Sequence, residues 1–431
     1  MNKSRIFYIS RWLHIAVLMA LILIILIFPP ELAQAEPGNL FVTTTGSGSS
    51  CTQAAPCQLA TAMQKALDTE ILYLAAGTYH ATGDAVVSIT KDITLYGGWE
   101  GSPAGPIYRN PHLYPTILDG QDARRVVVIT DGSKPVLDGL VITNGYGDSS
   151  GAGIRSNASH PTIQGCTIKD NQADGDGGAI FINGGSAQIL DNRIVNNSAN
   201  WAGGLRIINN PKVTIKGNLV RGNEANNSGG GIEIDCCGGS LVIVEGNTII
   251  DNSAGTAGGG VRIASTNAML VNNIIAENTA TEGAGVNLSG ADTYPVDVDL
   301  INNTLIGTSS NDHAVWLDGY SDALFTNNLL SNFAIGIQDN DPASNVINAD
   351  YNLFFNTSDP ILGTNEIQLD PLLDILYHLT GDSPAINAGV VVQNPDDIDG
   401  DPRPNGGFDL GADEYYPRLN LPFLVRLISD G

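Results

Sequence analysis

Eight positions in a repeated sequence phrase carry side chains that could do chemistry. The phrase is an apolar-x-apolar triplet that returns every 22 to 29 residues, and its middle residue changes from copy to copy. These middle residues, called the column below, are Arg155, Phe181, Arg206, Glu233, Arg262, Asn287, Trp316 and Gln338. Successive side chains of a strand alternate between its two faces, so the column is expected to point away from the apolar core and to be exposed.

Opposite charges follow one another along the column. Strands of consecutive copies that pair side by side would place Arg206, Glu233 and Arg262 about 5 Å apart, so that Glu233 bridges two guanidinium groups. Phe181 and Trp316 offer flat apolar faces on which sugar rings can stack. Two interpretations follow: a solvated ladder that keeps like charges apart, or a stripe that contacts a glycan.

The densest acidic cluster of the chain is the run from Asp396 to Asp401. Asp397, Asp399 and Asp401 offer hard oxygen ligands of the kind that Ca²⁺ prefers. The position of the glycine does not match an EF-hand loop, so a solvated acidic turn is the alternative. Ca²⁺ is the one cofactor that the sequence suggests.

Internal repetition predicts the elements that position these residues. Glycines lead into six of the eight triplets, as in Gly177-Gly178-Ala179-Ile180, and the last two copies are degraded. A second motif, Asn-x-apolar-x-x-Asn, recurs between triplets. Segments of three to five β-prone residues separated by glycine and asparagine indicate short strands and exclude helices. Each strand pairs with its copy in the next repeat, which predicts an all-β solenoid of about ten coils.

Asparagines at a fixed place in the repeat predict an internal ladder. Each side-chain amide can bond its own backbone and its neighbour in the next coil. The predicted rungs are Asn192, Asn218, Asn247, Asn273, Asn303, Asn328 and Asn352. Cys166 occupies the same place one repeat earlier, so a buried structural thiol is expected there.

The first 69 residues predict an export segment followed by a cap. Residues 1–35 combine basic residues, an apolar run and a small-x-small cleavage site, as a signal peptide does, although an uncleaved anchor is the alternative. In residues 36–69 we expect a strand at Leu40–Thr44 and a capping helix at Thr61–Asp68. A disulfide between Cys51 and Cys57 is also expected, whereas the pairing of the adjacent Cys236 and Cys237 stays open.

A formal net charge of −25 limits the partners. Such a surface repels phosphate backbones, so nucleic acid is not expected to bind. Divalent cations and neutral glycans are compatible with it, whereas a polyanion needs a cation bridge or a local basic patch.

Residues 70–358 resemble right-handed parallel β-helix repeat proteins of the pectin-lyase-like superfamily. The matching features are the asparagine ladder and the glycine-led triplets. Residues 36–100, with the run Leu74–Tyr79, resemble the cap and first coils of secreted members. The resemblance implies a right-handed parallel β-helix with a short N-terminal helical cap, and it leaves function undetermined.

Residues 359–416 resemble the C-terminal module of bacterial choice-of-anchor β-helix proteins. The motifs are Asp370–Leu373, Ser383–Gly389, Asp399–Pro404 and Asp409–Glu414. This resemblance implies association with the cell surface. Residues 417–431 then form a tail that carries no motif for covalent anchoring.

Three functions are weighed for a secreted or cell-surface protein of this kind. The leading hypothesis is non-catalytic binding or adhesion to a glycan or to neighbouring surfaces, through the column. The resemblance also implies an alternative, a calcium-dependent polysaccharide lyase of the pectate lyase type, with catalytic candidates Arg206, Glu233, Asp235 and Arg262. An arginine acts as a base only in a strongly perturbed site, and the motifs of pectin hydrolases are missing. A structural surface protein without a ligand is the third possibility.

Overall fold

The computed structural model describes residues 38–417 except 210–211, 236–240, 309–311, 359–362, 364 and 395. The chain winds into a solenoid in which every strand pairs in parallel with its copy in the next coil. The third sheet contains eleven strands, so the solenoid has about eleven coils. The predicted signal segment 1–35, Cys236, Cys237 and the tail beyond residue 417 lie outside the described residues. No helix within the described part of the chain is long and apolar enough to cross a membrane.

Three sheets and one set of corner strands form the solenoid. The column sheet contains β4 (Ala85–Ile89), β7 (Arg125–Ile129), β11 (Ile154–Ser159), β15 (Ile180–Leu190), β18 (Leu205–Ile208), β22 (Ile232–Asp235), β26 (Val261–Ala264), β29 (Val286–Ser289), β32 (His313–Leu317) and β35 (Ile335–Asp339). The corner strands are β10 (Tyr146–Gly147), β14 (Gln172–Ala173), β17 (Ser198–Ala199), β21 (Glu224–Ala225) and β25 (Ser253–Ala254).

The other two sheets close the coils. The second sheet contains β1 (Asn39–Val42), β2 (Ile71–Ala75), β5 (Thr94–Trp99), β8 (Val136–Asp138), β12 (Thr162–Gln164), the end of β15, β19 (Lys212–Lys216), β23 (Leu241–Glu245), β27 (Asn267–Val271), β30 (Val296–Ile301), β33 (Ser321–Thr326) and β36 (Val346–Asp350). The third sheet contains β3 (Gly77–Tyr79), β6 (Thr116–Asp119), β9 (Leu140–Thr143), β13 (Thr167–Lys169), β16 (Arg193–Val195), β20 (Leu219–Arg221), β24 (Thr248–Ile250), β28 (Ile274–Ala276), β31 (Thr304–Ile306), β34 (Leu329–Ser331) and β37 (Leu353–Phe355).

The interior of the solenoid is a stack of apolar side chains. The first residue of each triplet pairs with the first residue of the next, so Ile154, Ile180, Leu205 and Ile232 stack directly. All four are fully buried. Because each coil buries its apolar side chains against its two neighbours, the core grows along the axis without becoming thicker.

Two asparagine ladders line the inside of adjacent turns. In the predicted ladder, each Nδ2 from Asn192 to Asn328 donates to the Oδ1 of the next rung at 2.9 to 3.1 Å, ending at Asn352. A second ladder runs through Asn171, Asn197, Asn223, Asn252 and Asn278 at 2.9 to 3.0 Å. Cys166 is buried as predicted, and its N–H donates to Asn192 Oδ1. Both ladders satisfy amide groups that no water reaches.

Replacing one rung should therefore cost more than replacing an exposed asparagine. In Asn218→Ala the backbone N–H and side-chain amide of Asn192 lose their acceptor, and we expect a loss of about 1–3 kcal/mol in the free energy of unfolding. Asn226→Ala is the control, because that amide bonds Asn200 in solvent. Urea denaturation followed by circular dichroism measures both variants; equal midpoints would contradict the role of the ladder.

The N-terminal cap forms as expected, with small shifts in its bounds. The helix α1 is Leu59–Lys65, which is two residues earlier than predicted at its start and three earlier at its end. It ends early because Leu67 N–H donates to the Glu70 carboxylate and Thr69 adopts a positive φ of 71°. Cys51 and Cys57 form the predicted disulfide.

Residues 363–417, called the C-terminal strap below, pack against the outer surface of the third sheet. Leu379, Ala385, Leu410 and Ala412 of the strap cover outward-facing side chains such as Leu329 in one buried cluster. Three asparagines that occupy the same turn in successive coils also donate side-chain hydrogen bonds to backbone carbonyl oxygens of the strap. They are Asn272, Asn302 and Asn327. The segment predicted as a C-terminal module is therefore part of the same compact unit as the described coils.

Candidate functional site

The column forms one continuous line of paired residues. Parallel pairing joins Arg155 to Phe181 and continues residue by residue to Gln338. Every predicted member is therefore brought together in its predicted order. With coils about 4.8 Å apart, each column side chain lies beside those of the neighbouring coils.

The prediction that the whole column is exposed is wrong. Phe181, Glu233 and Asn287 are buried, and the other members are partly buried. The turn before the column residue causes this, because it folds back over the column, and in five of the eight copies the residue four positions before the column residue is a glycine. A Cβ on Gly151 would lie 2.7 Å from the Cβ of Arg155, and one on Gly229 would lie 2.4 Å from that of Glu233. These glycines leave the space that the column side chains occupy.

A buried ion-pair triad occupies the middle of the column. Glu233 Oε2 lies 2.8 Å from Arg206 Nη1, and Oε1 lies 2.9 Å from Arg262 Nη1. Ser228 Oγ donates to Oε1 at 3.2 Å. Burial raises the pKa of Glu233, and the two guanidinium groups oppose that shift. The sequence-based prediction that Glu233 bridges two arginines is therefore confirmed.

Arg206 is surrounded by carboxylates. Besides Glu233, Asp176 Oδ1 lies 3.5 Å from its Nε and Asp235 Oδ2 lies 3.8 Å from its Nη2. The four catalytic candidates Arg206, Glu233, Asp235 and Arg262 are thus neighbours. Both arginines are thus held in ion pairs, whereas an arginine that acts as a base must first give up its proton.

Arg155 differs from the other column arginines because no carboxylate pairs with it. Among the described residues, no acidic oxygen lies within 4 Å of its guanidinium, and its buried Nε has no hydrogen-bond partner. Burial lowers the pKa of Arg155, the neighbouring Arg125 lowers it further, and the more distant Asp148 carboxylate opposes the shift. Arg125 itself is occupied, since it donates to Asp148 and Ser149 at 2.8 Å. Arg155 therefore retains an unsatisfied capacity to bind an anion.

An aromatic side chain that the sequence reasoning missed lies beside this end of the column. Trp201 pairs with Asp176, which pairs with Ser150; these three residues are called the ledge below. The Arg206 guanidinium carbon lies 5.4 Å from the centroid of the Trp201 ring, and the residue is 40 % exposed. The sequence contained a signal that this residue lies near the column. Trp201 lies just before a glycine-led triplet, at the repeat position that Asp176 occupies one coil earlier.

The far end of the column is polar and crowded. Trp316 Nε1 donates to Asp318 at 3.0 Å, and the Trp316 ring meets His313 edge to face at 4.8 Å. The amide of Asn287 is fully buried without a hydrogen-bond partner in the described structure. Gln338 Nε2 donates to the carbonyl oxygen of Asp339. Trp316 is thus packed among polar neighbours, unlike Trp201.

The structure does not gather Asp397, Asp399 and Asp401 into one ligand set. Asp397 is buried, and its Oδ1 accepts the N–H groups of Asp399 and Asp401 at 2.9 and 2.8 Å. Its Oδ2 accepts Glu414 N–H at 3.0 Å. Asp397 therefore holds its own loop together, and of the three only Asp399 lies in a group of converging ligand atoms within the described chain.

Comparisons with known proteins agree with this architecture. Residues 121–280 match the family described as the right handed beta helix region, and residues 204–361 match the periplasmic copper-binding protein (NosD). The crystal structure of pectate lyase Pel9A aligns with a TM-score of 0.58 at 14 % identity, over 89 % of this chain and 98 % of that chain. The fold is a right-handed parallel β-helix of the pectin-lyase-like type.

Other similar β-helix structures superpose less closely. The PL6 family alginate lyase AlyGC has a TM-score of 0.36 at 14 % identity, over 89 % of this chain and 59 % of its own. The alginate lyase from Paenibacillus sp. str. FPU-7 has a TM-score of 0.36 at 15 % identity, over 72 % of this chain and 98 % of its own. No curated protein matches the sequence significantly. At such identities the likeness concerns the fold alone.

Proposed function

We propose that this protein is an exported, non-catalytic β-helix that binds an acidic glycan at the Arg155 end of the column. The carboxylate of an acidic sugar would pair with the Arg155 guanidinium. An extended chain would then run along the ledge toward Trp201. The observation that carries this proposal is the unpaired Arg155 on a surface where the other column arginines are neutralised.

The charge balance around Arg155 supports an anionic ligand. The chain carries 45 acidic and 20 basic residues, yet no described carboxylate lies within 4 Å of this guanidinium. A partly buried guanidinium has lost part of its hydration, so an unpaired one is costly until an anion binds it. A ligand carboxylate would supply charge-assisted hydrogen bonds at this point.

The ledge supports an elongated ligand. Trp201 lies two coils beyond Ser150, which corresponds to about 10 Å along the solenoid axis. Arg206 restrains the Trp201 ring, and the exposed part of the ring remains available for stacking on a sugar. The sequence predicted a ligand-binding stripe along the whole column, from Arg155 to Gln338. The buried triad interrupts that stripe, so we limit the proposed binding site to its first coils.

The lyase alternative finds less support in the same geometry. A base must lose its proton readily, whereas Arg206 faces three carboxylates and Arg262 pairs with buried Glu233. Export is supported by the Cys51–Cys57 disulfide and the signal-like residues 1–35. The match to a protein described as periplasmic supports it as well. Cell-surface association through residues 359–416 stays a prediction.

Binding to uronate polymers tests the proposal. We expect affinity electrophoresis or calorimetry to detect a complex that Arg155→Ala weakens about tenfold or more, because a charged hydrogen bond contributes about 1.5–3 kcal/mol. Trp201→Ala should weaken it as well. Arg193→Ala is the matched control, since it removes the same charge from an exposed position on the third sheet.

Three outcomes would contradict the proposal. The first is an unchanged affinity in Arg155→Ala, and the second is an equal loss in Arg193→Ala, which would indicate a non-specific charge effect. The third is the appearance of ultraviolet absorbance from an unsaturated product. If that product disappears in Arg206→Ala or Arg262→Ala, the protein is a lyase.

A further inference from the structure

Three side chains of ligand type converge within the C-terminal strap, away from the column. The ligand atoms of His378, Asp399 and Asp413 all lie within 4.8 Å of one another. His378 Nε2 and Asp399 Oδ2 are 3.5 Å apart. The three residues come from separate turns of the strap, so their convergence is a product of its folding.

The separation of these atoms fits two ligands of one ion. At 3.5 Å, His378 Nε2 and Asp399 Oδ2 are too far apart for a good hydrogen bond. Two ligands that each lie about 2.0–2.1 Å from a tetrahedral Zn²⁺ are roughly 3.3 Å apart. An ion placed between them would therefore need little movement of either side chain.

Asp413 presents a buried carboxylate to the same space. The residue is 7 % exposed, and its Oδ2 accepts Leu379 N–H at 2.7 Å. Its Oδ1 has no hydrogen bond to any residue that the structure describes. A bound cation would offset the repulsion between the neighbouring carboxylates of Asp399 and Asp413.

The second imidazole nitrogen of His378 faces a carboxylate that lies just beyond hydrogen-bond distance. Nδ1 lies 3.7 Å from Asp374 Oδ1, whereas Nε2 is the nitrogen nearer Asp399. Asp374 is fixed in turn, because its Oδ1 accepts the N–H groups of Leu376 and His378 at 2.8 and 3.0 Å. A small rotation of the ring on metal binding would let Nδ1–H donate to this carboxylate, which would then direct Nε2 toward the ion.

We propose that His378, Asp399 and Asp413 bind a divalent transition-metal ion of the Zn²⁺ class, with Asp374 as the positioning residue. An imidazole combined with two carboxylates suits Zn²⁺ better than Ca²⁺, which prefers oxygen ligands alone. Asp399 is partly exposed, so the ion has access to solvent and to a water as fourth ligand. The bound ion would cross-link three turns of a strap that contains no helix or strand among its described residues.

Metal titration of the mature chain, stripped with chelator and carrying no polyhistidine tag, tests the site. We expect calorimetry to show one equivalent of Zn²⁺, and Co²⁺ to give the visible absorption of a low-coordinate site. His378→Ala should abolish that equivalent, and Asp374→Asn should weaken it about 10- to 100-fold. His160→Ala is the matched control, because this histidine is exposed and bonds Ser186 instead.

Each alternative outcome overturns the proposal. Zn²⁺ binding that survives His378→Ala would belong to other ligands of the chain, such as the cysteines. Binding of Ca²⁺ that requires Asp399 but not His378 would indicate a site made of oxygen ligands. The absence of stoichiometric binding would show that the convergence is only a charged turn. None of these results affects the glycan proposal, which rests on Arg155.

Discussion

Replacing Glu233 by glutamine is expected to lower the free energy of unfolding by about 3–5 kcal/mol, since the change leaves two guanidinium groups without their shared counter-ion. Arg206 and Arg262 are 12 % and 19 % exposed, so water cannot fully replace the lost carboxylate. Glutamine keeps the size of the side chain, and no large cavity accompanies the loss of charge. Arg206 keeps its ion pairs with Asp176 and Asp235, so we expect the loss in the free energy of unfolding to fall near the lower end of this range.

The control for this prediction is a glutamate of the same solenoid in an exposed ion pair. Glu245 lies 2.7 Å from Lys216, and both side chains are exposed to water. Glu245→Gln should therefore cost less than about 1 kcal/mol. Urea denaturation compares the variants, and hydrogen exchange should show the loss of protection centred on β18, β22 and β26 because coils interact mainly with their neighbours. Similar losses in both variants would refute a special role for the triad.

Replacing Arg403 by methionine is expected to release the C-terminal strap from the third sheet. Arg403 Nη1 lies 3.0 Å from Glu414 Oε2, and both side chains are fully buried. The same guanidinium donates to the carbonyl oxygen of Gly411 at 2.9 Å. Removing the cation leaves a buried carboxylate unpaired, which costs about 3–5 kcal/mol. The strap docks through an apolar cluster that is separate from the core inside the coils, so we expect it to detach locally.

Limited proteolysis measures this release. Cleavage between residues 363 and 417 should become fast in Arg403→Met, and the binding of an apolar dye should report the uncovered Ile274, Ile306 and Leu329. Arg221→Met is the control, because Arg221 pairs with Asp251 at the surface at 3.1 Å. Unchanged protease resistance in Arg403→Met would mean that the apolar contacts hold the strap without the ion pair.

The repeated elements were predictable because every copy of the repeat carries residues of the same type at the same positions. Alternation of apolar residues set the register that stacks Ile154 on Ile180, and the fixed place of asparagine set the ladder from Asn192 to Asn352. The bridge from Glu233 to two arginines followed from that register. The pair Cys51 and Cys57 was predictable as well, since a short loop brings the two thiols together.

The burial of the column was not predictable from alternation alone. A strand pattern states which face a side chain points to, but not what covers that face. The glycine turn that folds over Glu233 lies within four residues of it, yet its path depends on the positive φ of 71° at Gly229. The exposed Trp201 ring beside Arg206 depends on the same turn, one coil earlier.

By itself, the sequence determined the coil, its register and its internal ladders, because these depend on interactions that every copy repeats with its neighbour. Only the tertiary structure decided how the strap docks and which ligands meet within it. Arg403 reaches Asn272, 131 residues away, and His378 meets Asp399 and Asp413 across irregular turns. Each of these contacts occurs only once in the chain, so no sequence repeat predicts it. Doubly apolar strands such as Ile274–Ala276 do indicate in the sequence that something covers the third sheet, since a strand buried on both faces needs a cover.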